Sequence, residues 1–183
     1  MKIKKKFFGI IAFIILFFAF SYLIFVKIPL AEYINSAGLY KLIIIPLISM
    51  FGSNVVSASF LYPILFFLKQ NGMNTILLAS LAAIGGTAGD ILFVYFGKGI
   101  NENIRNKNRR IFEFFEKNQN SPYIRLFIFL YPVLIPVSNE FMTLALGYIK
   151  YPAKKIVIPL LFGNIIYYTL LIGIGGKLIE IIF

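Results

Sequence analysis

The 183-residue chain contains no cysteine and no histidine. Without cysteine there is no disulfide, no thiolate nucleophile and no cysteine-ligated zinc or iron–sulfur site. Without histidine the usual general base near neutral pH is missing, and with it the commonest metal ligand. Charge is scarce too: 14% of residues are charged, and seven Asp and Glu face 18 Lys and Arg. A soluble domain carries roughly 25% charged residues, so this composition excludes a water-soluble fold and implies an integral membrane protein. A net charge of +11 would suggest nucleic acid in a soluble chain. Here the cations flank apolar runs and read as membrane topology, and no nucleic-acid module is indicated.

What is present is hydrophobic sequence, 60% of the chain. Phe7–Val26 gives twenty residues without a charge, enough to cross a hydrocarbon core of about 30 Å. The Lys-rich lead before it resembles a signal-peptide n-region. The run, however, exceeds the usual ~7–15 residues and lacks a small-x-small cleavage site, so it is read as a retained anchor. Thr75–Gly97 and Ile156–Gly176 are two further full spans. Leu42–Met50 reaches only about 14 Å at helical rise, stops at Phe51-Gly52-Ser53-Asn54, and resumes as Val55–Leu68. Leu126–Val137 and Phe141–Ile149 form a second interrupted pair around Ser138-Asn139-Glu140, with Pro132 and Pro136 as hinges.

Each interrupted pair is either one kinked span or a re-entrant hairpin, and charge separates the two readings. With two hairpins and a cytoplasmic N-terminus, segments 1–6, 98–125 and 150–155 lie inside with 14 Lys and Arg, leaving 4 outside. If the second pair crossed fully, the balance would fall to 11 against 7. The positive-inside bias favours hairpins. The expected architecture is an all-α polytopic membrane protein of three full spans plus two opposed re-entrant helical hairpins, with the C-terminus outside in a prokaryotic cell membrane. Its parts are an anchor and external linker (1–41) and a membrane domain (42–183). The latter divides into a first repeat (42–97), a cytoplasmic amphipathic loop (98–125) and a second repeat (126–183). The loop's Arg109-Arg110-Ile111-Phe112-Glu113-Phe114-Phe115 run either lies in the interface on anionic headgroups or forms a solvated linker helix.

The repeat rests on Ser53-Asn54 against Ser138-Asn139, and on Gly89-Asp90 against Gly163-Asn164. Entering from opposite sides, the halves would have inverted topology, which in many transporters puts the site at the repeat interface near mid-membrane. Among the acids only Asp90 and Glu140 fall inside predicted membrane segments. An ionisable group there costs on the order of 3 kcal/mol and normally faces a cavity or partner. With Ser53, Asn54, Ser138, Asn139 and Asn164 they are the candidate polar pocket, open to proton uptake and release. The alternative role is to hydrogen-bond the hairpins' own amides. Gly85, Gly89 and Gly163 are read as helix-packing positions, and Tyr62, Tyr95 and Tyr131 as interfacial or packing residues.

A zinc protease would need a His-Glu-x-x-His helix and an intramembrane aspartyl protease two aspartates, where Asp90 is the only one. Enzymatic activity is not expected, and no cofactor or metal site is implied. Leu42–Phe183 resembles the DedA family, whose shared domain is the VTT or SNARE-associated Golgi protein domain. Gly89-Asp90 followed by Tyr95 and Gly97-Lys98 is similar to the family's Gly-Asp…Tyr…Gly-Arg string. Pro136 to Gly147, then Tyr151-Pro152-Ala153-Lys154-Lys155 and Gly163-Asn164, is similar to its second-half signature. Both arginines of the family's Arg-x-x-Pro-x-x-Arg are absent around Pro136. The family's first-hairpin glutamate has no counterpart near Ser53, and an acid stands in the second hairpin as Glu140. The resemblance implies a lipid translocator, a scramblase or a proton-linked carrier of lipid phosphates. Membrane lipids, protons and a second copy of the chain are the partners expected.

Overall fold

A computed structural model describes residues 30–52, 58–99, 113, 117–118, 120–135 and 139–182. The anchor Phe7–Val26, most of the basic loop, and the positions Ser53, Asn54, Pro136 and Ser138 lie outside them. Among the described residues every regular element is helical. After α1 (Leu30–Ser36) and a 3-10 turn at Gly38–Tyr40 come α2 (Lys41–Gly52), α3 (Ala58–Gln70) and α4 (Thr75–Lys98). The second half holds α5 (Pro122–Leu134), α6 (Asn139–Tyr148) and α7 (Ala153–Ile182).

Two helices are long and apolar enough to cross a membrane, Thr75–Lys98 and the stretch Ala153–Gly175 of α7. Local chemistry sets their ends. The Asn74 side chain caps α4 by accepting from the amides of Ile76 (2.9 Å) and Leu77 (3.2 Å), replacing bonds the first turn cannot make internally. The interrupted runs are indeed separate short helices, of 12, 13, 13 and 10 residues. Several boundaries shift by a few residues from the sequence expectation, and α7 extends to Ala153–Ile182. Helix α5 starts at Pro122 and not at Leu126, because Ser121 is extended and Pro122 takes the first helical turn, where a missing N–H costs nothing. Arg125 therefore rides on α5 and not on the loop. At the other end Ile135, which precedes a proline, is extended (φ −110°, ψ 108°), and the helix stops there.

Helices α4 and α7 pack antiparallel along the centre. Ala79, Ala82 and Ala83 sit with Tyr168 and Ile172 in one apolar cluster, joined by Ile45 of α2 and Leu61, Leu65 and Leu68 of α3. Val94 sits with Ile156 and Leu160 in another, completed by Ile124 and Ile128 of α5 and Met142 and Leu146 of α6. Small residues let backbones meet at the crossings. A Cβ on Gly85 would overlap the Pro46 carbonyl of α2, and one on Gly163 would overlap the Phe129 carbonyl of α5.

These crossings recur at a fixed interval, in a register other than the one the letters suggest. Helix α3 ends with Gly72 N–H on Lys69 O (3.1 Å) and Met73 N–H on Leu68 O (3.1 Å). Helix α6 ends alike, with Lys150 N–H on Gly147 O (2.8 Å) and Tyr151 N–H on Leu146 O (2.9 Å). Both are Schellman turns, and 78 positions separate Gly72 from Lys150. The same interval separates Gly85 from Gly163 and Gly97 from Gly175, each pair crossing the equivalent neighbour. Gly163 thus answers to Gly85 and not to Gly89, and Asp90 answers to Tyr168 and not to Asn164.

Both long helices also present large apolar side chains to the outside. Ile76, Ile84 and Phe96 of α4 and Ile158, Phe162 and Ile174 of α7 are exposed, while the carboxyl of Asp90 is wholly enclosed.

Candidate functional site

Between the two apolar clusters, where α4 and α7 meet, the interior turns polar. Asp90 projects from α4 with Thr87 one turn before it, and Asn164 projects from α7 against both. Their exposures are 0%, 4% and 1%. Asn164 Nδ2 donates to Asp90 Oδ2 (3.2 Å) and Thr87 Oγ1 (3.1 Å). The third element is the first residue of α6: Asn139 Nδ2 donates to Asp90 Oδ2 (3.1 Å) and Asn164 Oδ1 (2.9 Å). Thr143 Oγ1 braces that turn by donating to the carbonyls of Asn139 (2.9 Å) and Glu140 (3.2 Å). Glu140, half-buried, stands within electrostatic reach of Asp90.

A buried carboxyl is retained only with compensation, since desolvation penalises its charged form heavily. Here the compensation comes from two amides on separate helices, and no cation among the described residues pairs with Asp90. Only one carboxyl oxygen is used. Asp90 Oδ1 is buried with no hydrogen-bond partner among the described residues, and so is Ser49 Oγ on α2. Most buried polar atoms are paired, so this cluster keeps hydrogen-bonding capacity in reserve. It can bind and orient a polar group.

The structure joins Asp90, Asn139 and Asn164 directly, with Glu140 adjoining. Gly85 and Gly163 are close-approach positions, and the buried Pro132 places its Cγ where a Cβ on Gly163 would come within 2.9 Å. Gly89 is buried on α4. Tyr95 is exposed with Lys98 Nζ 5.0 Å from its ring centroid, as expected of an interfacial pair. Tyr62 packs against the first apolar cluster, and its hydroxyl also shares a 2.8 Å hydrogen bond with Tyr167. Tyr167 and Tyr168 stack edge-on at 5.2 Å, one turn beyond Asn164.

Thr87, Thr143, Tyr167 and Tyr168 are polar participants the sequence reading missed. Helical spacing was the available signal. Thr87 is three residues before Asp90, Thr143 three beyond Glu140, and Tyr168 four beyond Asn164, which puts each on the same face as its neighbour. Compared with protein-family models, curated proteins and solved structures, the chain matches none.

Proposed function

We propose that the chain is an integral membrane protein that translocates lipids, as a scramblase or flippase of phospholipids or polyprenyl phosphates. In this reading three spans (residues 7–26, α4 and α7) surround two opposed re-entrant pairs, α2–α3 and α5–α6, in inverted topology. The observation that carries it is Asp90, a fully buried carboxyl held by amides from two other helices inside a bundle with an apolar exterior. Such a group at bilayer depth is by default a functional one. The short helices support the dipping topology, since none of the four spans about 30 Å alone. A headgroup would pass the polar cluster while its chains stay in lipid. The resemblance to the DedA family points the same way, and the absent arginines leave hydrogen bonding, not guanidinium pairing, to handle the headgroup.

Purified protein in liposomes should flip labelled phospholipid or polyprenyl phosphate above empty controls; no excess flipping would end the proposal. Cysteines introduced at the exposed Asn71 and Lys154 should label from opposite sides of the membrane. Labelling from one side would make the α5–α6 pair a through-span.

A second reading, a proton- or ion-coupled carrier of a small solute, is favoured by the make-up of the cluster. Carboxyl and amides, with no cation beside them among the described residues, suit a neutral or cationic group better than a bare phosphate. Loss of pH-dependent uptake in Asp90→Asn with lipid flipping intact would select it. A non-transporting assembly protein would tolerate neutralisation of both Asp90 and Glu140.

A further inference from the structure

In the Asp90 cluster the amide hydrogens are all spent. Asn139 Nδ2 uses both of its hydrogens, on Asp90 Oδ2 and Asn164 Oδ1. Asn164 Nδ2 uses both of its own, on Asp90 Oδ2 and Thr87 Oγ1. Neither amide can be turned over, because its oxygen would then face a carboxylate oxygen, acceptor against acceptor. What is left over is an acceptor. Asp90 Oδ1 is wholly buried and has no hydrogen-bond partner among the described residues. Committed donors around a spare carboxyl oxygen suit a ligand that donates or carries positive charge, and repel an anion.

Charge narrows the choice. Among the described residues Asp90 is the only buried carboxyl, and no cation among them pairs with it. One negative charge in a dry interior calls for one positive charge, and a divalent ion would overshoot by a full unit. No third acid joins Asp90 and Glu140 among the described residues, so the oxygen-rich shell that calcium takes is missing. Placement gives access. Asn139 and Glu140 are only half-buried, so the cluster meets the outside at the first turn of α6. Glu140 there offsets the positive end of the helix and keeps the entrance negative.

We propose that this cluster binds one monovalent cation, a free alkali ion or the ammonium of a headgroup or solute, against the spare oxygen of Asp90. This rests on the transport reading of the same cluster and names the charge class of what it takes up. Asn139 and Asn164 are positioning residues: by holding Oδ2 they leave Oδ1 as the carboxyl's binding atom.

The test is thermal unfolding and calorimetry of the full chain in a neutral detergent. Sodium, potassium, ethanolammonium and magnesium chlorides are each exchanged, at fixed ionic strength, for the bulky N-methylglucamine salt. A monovalent salt should raise the unfolding midpoint saturably, by about 5 °C near a hundred times its Kd, with one site per chain by calorimetry. Asp90→Asn, close in volume and uncharged, should abolish the response. Asn139→Ala should weaken the affinity about ten-fold, the worth of one hydrogen bond to a charged group. A response to sodium or potassium identifies a free ion, and one to ethanolammonium alone identifies an ammonium group. No response to any monovalent salt, an undiminished response in Asp90→Asn, or tighter binding of magnesium or inorganic phosphate would each overturn it. Unchanged affinity in Asn139→Ala overturns it equally, so the result does not depend on whether Asp90→Asn folds. Binding is read here without transport. A chain that binds the cation and moves neither lipid nor solute sinks the transport readings alone, whereas lipid flipping with no cation bound sinks only the cation site.

Discussion

The two crossings that tie each short helical pair to the opposite half are equivalent in register and opposite in character. In one, α6 lies against α4 with glycines on both sides: a Cβ on Gly147 would overlap Val94 O, and one on Gly97 would overlap Leu144 O. In the other, α3 meets α7 through side chains. Gly175, the counterpart of Gly97, faces the ring of Phe66, and the contact continues in the Tyr62–Tyr167 hydroxyl pair. Chemistry divides the same way. Glu140 and Asp90 occupy the positions that Tyr62 and Tyr168 occupy in the other half. Backbone-to-backbone approach draws Asn139 to within hydrogen-bonding distance of Asp90, whereas rings fill the equivalent space on the other side. One scaffold used twice therefore yields one acidic, amide-lined half and one half built from phenols.

The largest expected effect breaks the acidic half at its centre. Asp90→Leu removes the acceptor of two buried amides, and unsatisfied buried donors cost about 1–3 kcal/mol each. A stability loss of about 2–5 kcal/mol is expected by denaturant or thermal unfolding in detergent. Asp90→Asn keeps one carbonyl oxygen and nearly the same volume, so it should stay folded and lose lipid flipping. If Asp90→Leu were neutral in unfolding, the amides would have other partners and the cluster would not be held by the carboxyl.

Next comes the asymmetry of the crossings. Gly147→Ala sets a methyl against the Val94 backbone, which cannot yield, and overpacking of this kind costs typically 1–3 kcal/mol. Gly175→Ala meets only a side-chain ring, which can turn away, so its loss should stay below about 1 kcal/mol. Equal losses in paired melts would erase the distinction between the two halves.

The two long apolar helices and the four short ones were legible because length against a fixed hydrocarbon thickness is a strict test. Asp90, Asn139 and Asn164 were legible because amides and acids stand out in apolar runs, where burial obliges them to find one another. Thr87 and Thr143 were not, since a helical threonine can satisfy itself on its own backbone, as Thr143 and Thr169 do. The repeat was legible and its register was not. Matching Gly-Asp with Gly-Asn aligns letters, but what is repeated is where a backbone passes over a glycine, and only geometry reveals that.

The paired Schellman turns give a smaller and cleaner effect. Nothing lies within 4 Å of a Cβ built on Gly72, so Gly72→Ala probes the left-handed backbone alone and should cost about 1 kcal/mol. Lys150→Gly should act in the opposite sense, stabilising by up to about 1 kcal/mol as the same strain is released. A loss of stability in Lys150→Gly would mean that the lysine's side-chain contacts outweigh its backbone strain. The geometric equivalence of the two turns would then not extend to their energetics.

The smallest effect sharpens the phenolic half. Tyr62→Phe and Tyr167→Phe each delete one partner of a single neutral hydrogen bond, worth about 0.5–1.5 kcal/mol net. If the pair is a structural strut, the double variant should lose no more than either single one, a coupling of about 1 kcal/mol in a double-mutant cycle, and lipid flipping should be unchanged. If flipping falls while unfolding barely moves, the phenols take part in transport and answer functionally, as they do positionally, to Asp90 and Glu140. The two halves would then be successive stations for one polar group, and the division into a working half and a supporting half would not stand.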